Sequence, residues 1–158
     1  MTTEKDPLDD LDRRLLTLFH LEPRVGVLEA SRRLQVARGT VQARLDRLER
    51  LGVVTGWGPQ LAPAALGYPV TAFVTLEIQQ HAGRDDLTAR LAAIPEVLEC
   101  WTITGSGDLW ARVVARSHAD LQRALDLVVG DPGVVRTATV IGLTEQIGYR
   151  TAPLVRPT

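Results

Sequence analysis

Residues 26–52 read GVLEASRRLQVARGTVQARLDRLERLG, and their periodicity decides the first part of the fold. Val27, Ala30 and Leu34 share one helical face over 26–34, while Val41, Leu45, Leu48 and Leu51 share another over 38–51. Gly52 stands where helices commonly end on a left-handed residue. Two short helices joined by a tight connection predict a helix-turn-helix. The second carries Arg38, Arg44 and Arg47 outside its apolar stripe. A helix of that kind is suited to an anionic partner, and the partner expected for a small soluble protein is double-stranded DNA.

Upstream, Leu8, Leu11, Leu15, Leu18 and Phe19 predict a helix over 8–20, with Pro23 just beyond its end. Downstream, Val53–Trp57 and Gln60–Ala62 are β-prone and split by Gly58-Pro59, which predicts the hairpin of a winged helix-turn-helix. Residues 63–69, PAALGYP, are a connector. Beyond it the period becomes two. Val70, Ala72, Val74, Leu76 and Ile78 alternate with Thr71, Phe73, Thr75 and Glu77, the pattern of a half-buried strand. HAGRDD reads as a loop, with Asp85 or Asp86 capping a helix through Ile94 that Pro95 ends. Val97–Thr104 and Leu109–Arg116 read as a hairpin about the turn GSGD. Ser117 or His118 opens a helix to about Val129, Val134–Leu143 is a fourth strand, and 145–151 adds a short fifth.

The order predicts an α+β chain: a winged helix-turn-helix at 1–62, a linker at 63–69, and a ferredoxin-like βαββαβ α/β-sandwich at 70–158. The sheet face away from the helices carries Phe73, Trp101, Trp110 and Val114. A face so apolar is expected to meet a second copy of itself, making a homodimer.

Charge is placed unevenly. The formal net charge is −1, yet residues 24–50 hold seven arginines against three acids, and residues from 61 onward hold eight against ten. A local basic patch on a near-neutral chain supplies a phosphate footprint without indiscriminate adhesion. Cys100 is the only cysteine, which excludes an intrachain disulfide and a cysteine-based zinc site. His20, His81 and His118 show no ligand spacing, so no metal, cofactor or catalytic residue is expected. No apolar run approaches the ~18 residues of a membrane helix, and MTTEKD is no secretory signal. A cytoplasmic protein is the expectation.

These segments, in order, resemble the Lrp/AsnC (feast/famine) family of transcription regulators. The opening is similar to Leu8-Asp9-x-x-Asp12-x-x-Leu15-Leu16. Arg24, Glu29 and the run Thr40 to Glu49 match the helix-turn-helix, and Gly52-Val53-Val54-x-Gly56-Trp57 with Leu61-x-Pro63-x-x-Leu66-Gly67 matches the wing and linker. Thr104-Gly105-Ser106-Gly107-Asp108 resembles the G-x-x-D turn of the family's effector domain. The resemblance covers about residues 8–150. It implies a dimer built by the C-terminal domain, often assembled further to octamers, and a small effector, commonly an amino acid, near the G-x-x-D turn. Two departures stand out. Ala37 replaces the serine that would cap the recognition helix, and Ser106-Gly107 replaces an acidic residue and an aromatic.

Arg38, Thr40, Gln42, Arg44 and Arg47 are the candidate DNA-contacting residues, with Gln42 suited to adenine and Arg38 to guanine. Their bland alternative is a solvated arginine face with pairs such as Asp46 to Arg50, and Arg44 is alternatively held by an intradomain carboxylate. Thr104, Gly105, Ser106, Gly107 and Asp108 are the effector candidates. Backbone N–H groups at a glycine turn can hold a carboxylate, and Asp108 can take an ammonium; an ordinary hairpin turn explains them as well. Two other functions stay open. One is an enzyme resembling the sirohaem decarboxylases, whose basic, histidine-bearing linker has no counterpart in GWGPQLAPAALG. The other is an assembly module with a degenerate DNA reader, which Ala37 and Gly39 keep alive.

Overall fold

A computed structural model describes residues 8–79 and 84–155. Their contacts divide the chain into a helical unit, residues 8–59 with 147–155, and a sheet unit, residues 60–146.

The helical unit holds α1 (Asp10–Leu21), α2 (Val27–Leu34) and α3 (Arg38–Arg50). Helix α1 starts at a full capping box: Asp9 Oδ1 accepts the Asp12 N–H at 2.9 Å, and Asp12 Oδ2 accepts the Asp9 N–H at 3.1 Å. Helix α2 ends on Gln35 at φ 57°, a left-handed non-glycine residue that makes the tight turn into α3. Leu15, Ala30, Val41 and Leu45 form the core, with Leu11, Leu18, Phe19, Val27, Leu34 and Val36 packed around it. The expected apolar faces are therefore the buried ones, except that Leu51 is exposed just past the end of α3.

The wing hairpin does not form among these residues. Segments 53–57 and 60–62 carry no strand pairing. They are five and three residues long and are separated by a glycine and a donor-less proline, and so short a two-stranded ribbon is marginal alone. Instead the edge of Trp57 packs on Phe19 at 5.3 Å between ring centroids, and its indole N–H donates to Glu49. The fifth strand is also absent: 145–151 pairs with nothing in the sheet, and a 3-10 turn at Ala152–Val155 packs against α1.

The sheet unit runs β1 (Val70–Ile78), α4 (Arg84–Ala92), β2 (Val97–Thr102), β3 (Leu109–Ala115), α5 (His118–Val129) and β4 (Val134–Gly142). The spatial order is β2-β3-β1-β4, all antiparallel. This is the ferredoxin-like βαββαβ arrangement. Helix α4 begins at Arg84, so Asp85 and Asp86 fall within its first turn and not at the position before it; the part of the expected loop at 81–83 lies outside the described residues. Ser117 caps α5, its Oγ accepting the Asp120 N–H at 3.1 Å.

Alternation along the strands sorts the two faces. Ala72, Val74, Leu76, Leu109, Ala111 and Val113 face the helices and pack on Leu87, Leu91, Leu121, Ala124 and Val128. Phe73 and Trp110 stack on the open face at 5.3 Å and 14° between planes. Trp101 beside them is 60% exposed and Val140 is 63% exposed. Val114 departs from the expectation: it lies on this face yet is buried within the chain. Cys100 is half-buried on the helix side, and burial pushes its thiol pKa up. The connector meets the sheet at Tyr68, whose hydroxyl accepts from Arg116 Nη2 at 3.0 Å beneath the guanidinium.

Candidate nucleic-acid interface and effector turn

Helix α3 buries Val41, Leu45 and Leu48 and turns the rest of its surface outward. The expected DNA-contacting residues divide into two groups. Arg38, Thr40 and Gln42, in its first two turns, are exposed. Arg44 and Arg47 are half-buried and turned onto α1. Arg44 donates to Asp9 and, at 3.2 Å, to Asp12; Arg47 donates to Asp12 at 2.8 Å. Asp12 is fully buried, so its carboxylate replaces lost hydration with these two guanidiniums and the Asp9 N–H. Asp9 is held below its ordinary value of 3.8, first by the Asp12 N–H and then by Arg44, and it in turn holds Arg44 more firmly protonated. The intradomain alternative for Arg44 is thus the observed one, and Arg47 shares it. The signal was the D-x-x-D spacing at the start of α1, which sets two carboxylates in one turn.

Other arginines of the basic stretch are also occupied. Arg33 pairs with Glu22 and Glu29, and Arg32 reaches Glu29 at 3.9 Å. Arg24, Arg38 and Arg50 have no ion-pair partner among the described residues. The pairing expected between Asp46 and Arg50 is absent; Asp46 Oδ1 instead accepts from Gln42 Nε2 at 2.8 Å. Ala37 supplies no side-chain cap, leaving the first turn of α3 held by the Ala37 carbonyl, which accepts from Thr40 and Val41.

The effector candidates fall on the turn between β2 and β3. Gly105 adopts φ 111°, a conformation open to glycine. Thr104, Gly105 and Ser106 are exposed, and their N–H groups are not donated to any described residue. Gly107 and Asp108 play another part. A Cβ on Gly107 would stand 2.4 Å from Thr75 Cγ2 and 3.2 Å from the Leu76 carbonyl oxygen, so a side chain there must displace Thr75. Asp108 donates its N–H to Leu76 at 2.8 Å, and its Oδ2 accepts the Ile78 N–H at 2.8 Å. The carboxylate thereby stands in for the next carbonyl of the ladder, where β1 passes beyond the end of β3.

An exposed recognition helix on one unit and an open glycine turn on a ferredoxin-like sheet define a class: a DNA-binding helix-turn-helix regulator carrying a ligand-binding domain. The profile of the winged helix-turn-helix DNA-binding domain matches residues 8–55, and that of the Lrp/AsnC ligand binding domain matches residues 71–151. The chain belongs to the Lrp/AsnC family of transcriptional regulators. It is 29% identical over 138 residues to the HTH-type transcriptional regulator FL11 of Pyrococcus horikoshii, covering 87% of this chain and 90% of that one. The structure of Escherichia coli AsnC superposes with a TM-score of 0.84 at 25% identity, over 92% of this chain and 99% of that one. A feast or famine regulatory protein of Mycobacterium tuberculosis, complexed with L-methionine, superposes at 0.81 with 31% identity, over 91% and 97%. Among the described residues no helix is long and apolar enough to cross a membrane.

Proposed function

We propose that the protein binds double-stranded DNA as a homodimer, with α3 in the major groove, and that an amino acid at the 104–108 turn modulates its assembly. The observation that carries this reading is the exposed start of α3, where Arg38, Thr40 and Gln42 face outward and can meet bases and phosphates. Arg44 and Arg47 hold α3 against α1 in this scheme and set its angle of presentation. The stacked Phe73 and Trp110 with exposed Trp101 support pairing of two sheets face to face. Two readers would then span half-sites about one helical turn apart.

The methionine complex of a structural neighbour supports an amino-acid effector. Its carboxylate suits the free N–H groups of Gly105 and Ser106. Asp108 positions the turn in this reading, because its carboxylate is spent on the Ile78 N–H. An effector acts by binding one assembly better than another.

The test is footprinting on the DNA upstream of the protein's own gene, with sizing by light scattering in the presence of each of the twenty amino acids. A protected near-palindrome whose occupancy shifts with one amino acid is expected. Asp108→Asn keeps an acceptor oxygen and is expected to keep that response, whereas Asp108→Ala loosens the turn and loses it. Absence of any footprint at low salt, or turnover of a haem precursor, overturns the reading.

A further inference from the structure

The outward centre of α3 is made by Gly39, Ala43, Asp46 and Arg50, with Gln42 beside them, and all five are exposed. Open space surrounds the position of a Gly39 Cβ, and Ala43 carries only a methyl group, so the helix can approach a surface closely along this line. With Arg44 and Arg47 turned onto α1, the polar side chains left in the middle of the face are Gln42 and Asp46. A carboxylate at the centre of a DNA-facing helix is repelled by phosphate. Arg50, four residues on, could neutralise it at helical spacing. Asp46 instead accepts from Gln42 Nε2 at 2.8 Å.

We infer that Asp46 is a positioning residue that locks the Gln42 amide with an adenine-reading edge outward, an inference resting on the proposed placement of α3 in the major groove. The chemistry is directional. An ionised carboxylate only accepts, so the partner in Gln42 must be the NH2 group, and the amide flip is thereby decided. One N–H goes to Asp46. With the N–H anti to the oxygen given to Asp46, the syn N–H and the carbonyl oxygen form a donor–acceptor edge, the complement of adenine N7 and N6–H2 in the major groove. A free glutamine presents either flip and must be ordered on contact; this one is ordered beforehand. The negative charge lowers affinity for all sequences alike while sharpening the choice at one base pair.

The test is selection of duplexes from a randomised pool by the full-length protein, followed by competition binding with each base at the enriched positions. Wild type is expected to prefer adenine at one position of each half-site by about tenfold, within the range of a good bidentate contact. Gln42→Ala is expected to cut that preference to about twofold. Asp46→Ala is expected to halve it, the worth of one exposed i,i+4 hydrogen bond. Asp46→Asn, which can donate to the Gln42 oxygen as readily as accept from its amide, is expected to act likewise, and the double variant Q42A/D46A should lose no more than Q42A alone. The Asp46 variants should also bind unselected DNA more tightly, which a purely electrostatic role explains too; the base preference is the readout that it does not move. Both side chains are exposed, and unchanged helical ellipticity and Tm verify folding. Retention of the adenine preference in both Asp46 variants overturns the inference. So does loss of a cytosine preference that Gln42→Ala leaves intact, which would make Asp46 a direct reader. If wild type enriches no sequence while the variants behave identically, the DNA-reading proposal fails and this inference falls with it.

Discussion

Removing the Asp12 carboxylate is the sharpest test of how α3 is held. In Asp12→Ala three interactions vanish: the acceptor for the Asp9 N–H at 3.1 Å and those for Arg44 at 3.2 Å and Arg47 at 2.8 Å. All three are hydrogen bonds to a charged group, each contributing about 1.5–3 kcal/mol, so the gross loss is roughly 5–9 kcal/mol. Most of that is not realised. The Arg44 and Arg47 side chains keep 31% and 39% exposure and rehydrate, and Arg44 retains Asp9. The net cost is about 2–3 kcal/mol, confined to the helical unit. Hydrogen exchange read by mass spectrometry resolves it, because each 1.4 kcal/mol is tenfold in an opening equilibrium. Amides of α1 and α3 should lose protection by roughly thirtyfold or more, with β1, β3 and α5 unchanged. Should α3 keep its protection to within about threefold, the arginines are not holding the helix, and their assignment to α1 is wrong.

Three further outcomes follow from named contacts. Gly107→Ala drives a methyl into Thr75 Cγ2 and is expected to cost about 1–3 kcal/mol, seen as a lower Tm of the sheet unit. Thr75→Ser in that background removes Cγ2 and should restore part of the loss, and no restoration would refute the clash. Asp9, held below 3.8, contributes stability that is complete above the unfolded carboxyl value of about 3.9 and is lost as pH falls through its lower folded value. Asparagine caps a helix about as well, so Asp9→Asn should flatten the fall in Tm of the helical unit as pH drops below about 4; an unchanged slope would count against a lowered Asp9 carboxyl. Ala37→Ser supplies the missing cap to α3 and should stabilise the helical unit by about 1 kcal/mol in thermal melts. A neutral or negative effect would mean that the first turn cannot accept the cap geometry.

The periodic elements were legible because burial repeats at 3.6 or 2 residues and the chain keeps to those rhythms. Leu15, Val41 and Leu48 on the helices, and Ala72, Val74 and Leu76 on β1, are buried as the pattern demands. Short, unpatterned segments were not legible. Val53–Trp57 has strand propensity, but a ladder needs a second strand, and Gly58-Pro59 denies it one within the chain. Residues 145–151 have no alternation to dictate a face, and the chain goes to α1 instead of extending the sheet. Side-chain partners across long separations were the other gap. Arg47 reads as an outward cation until Asp12, 35 residues earlier, is brought beneath it. Asp108 reads as a free carboxylate until the end of β1 offers it the Ile78 N–H.

Those two gaps share a cause that bears on function. A sequence displays charge, whereas binding depends on charge left over after the fold has used its share. Residues 24–50 carry a surplus of four positive charges, yet Arg32, Arg33, Arg44 and Arg47 are engaged by carboxylates within the helical unit. Asp9 and Asp12 lie outside the basic stretch, so counting the stretch alone overstates its field. What remains to meet phosphate is Arg38 at the start of α3, Arg50 at its end, and Arg24 before α2. Each phosphate neutralised releases about one counterion, so three such arginines give one reader only a shallow salt dependence and weak affinity. On the proposed reading, two readers fixed in one dimer make the second contact intramolecular, and the effective concentration set by that tether multiplies the affinity. Substitutions on the open sheet face at Trp101 or Trp110 should then weaken DNA binding as severely as losing Arg38, although neither side chain belongs to the helical unit.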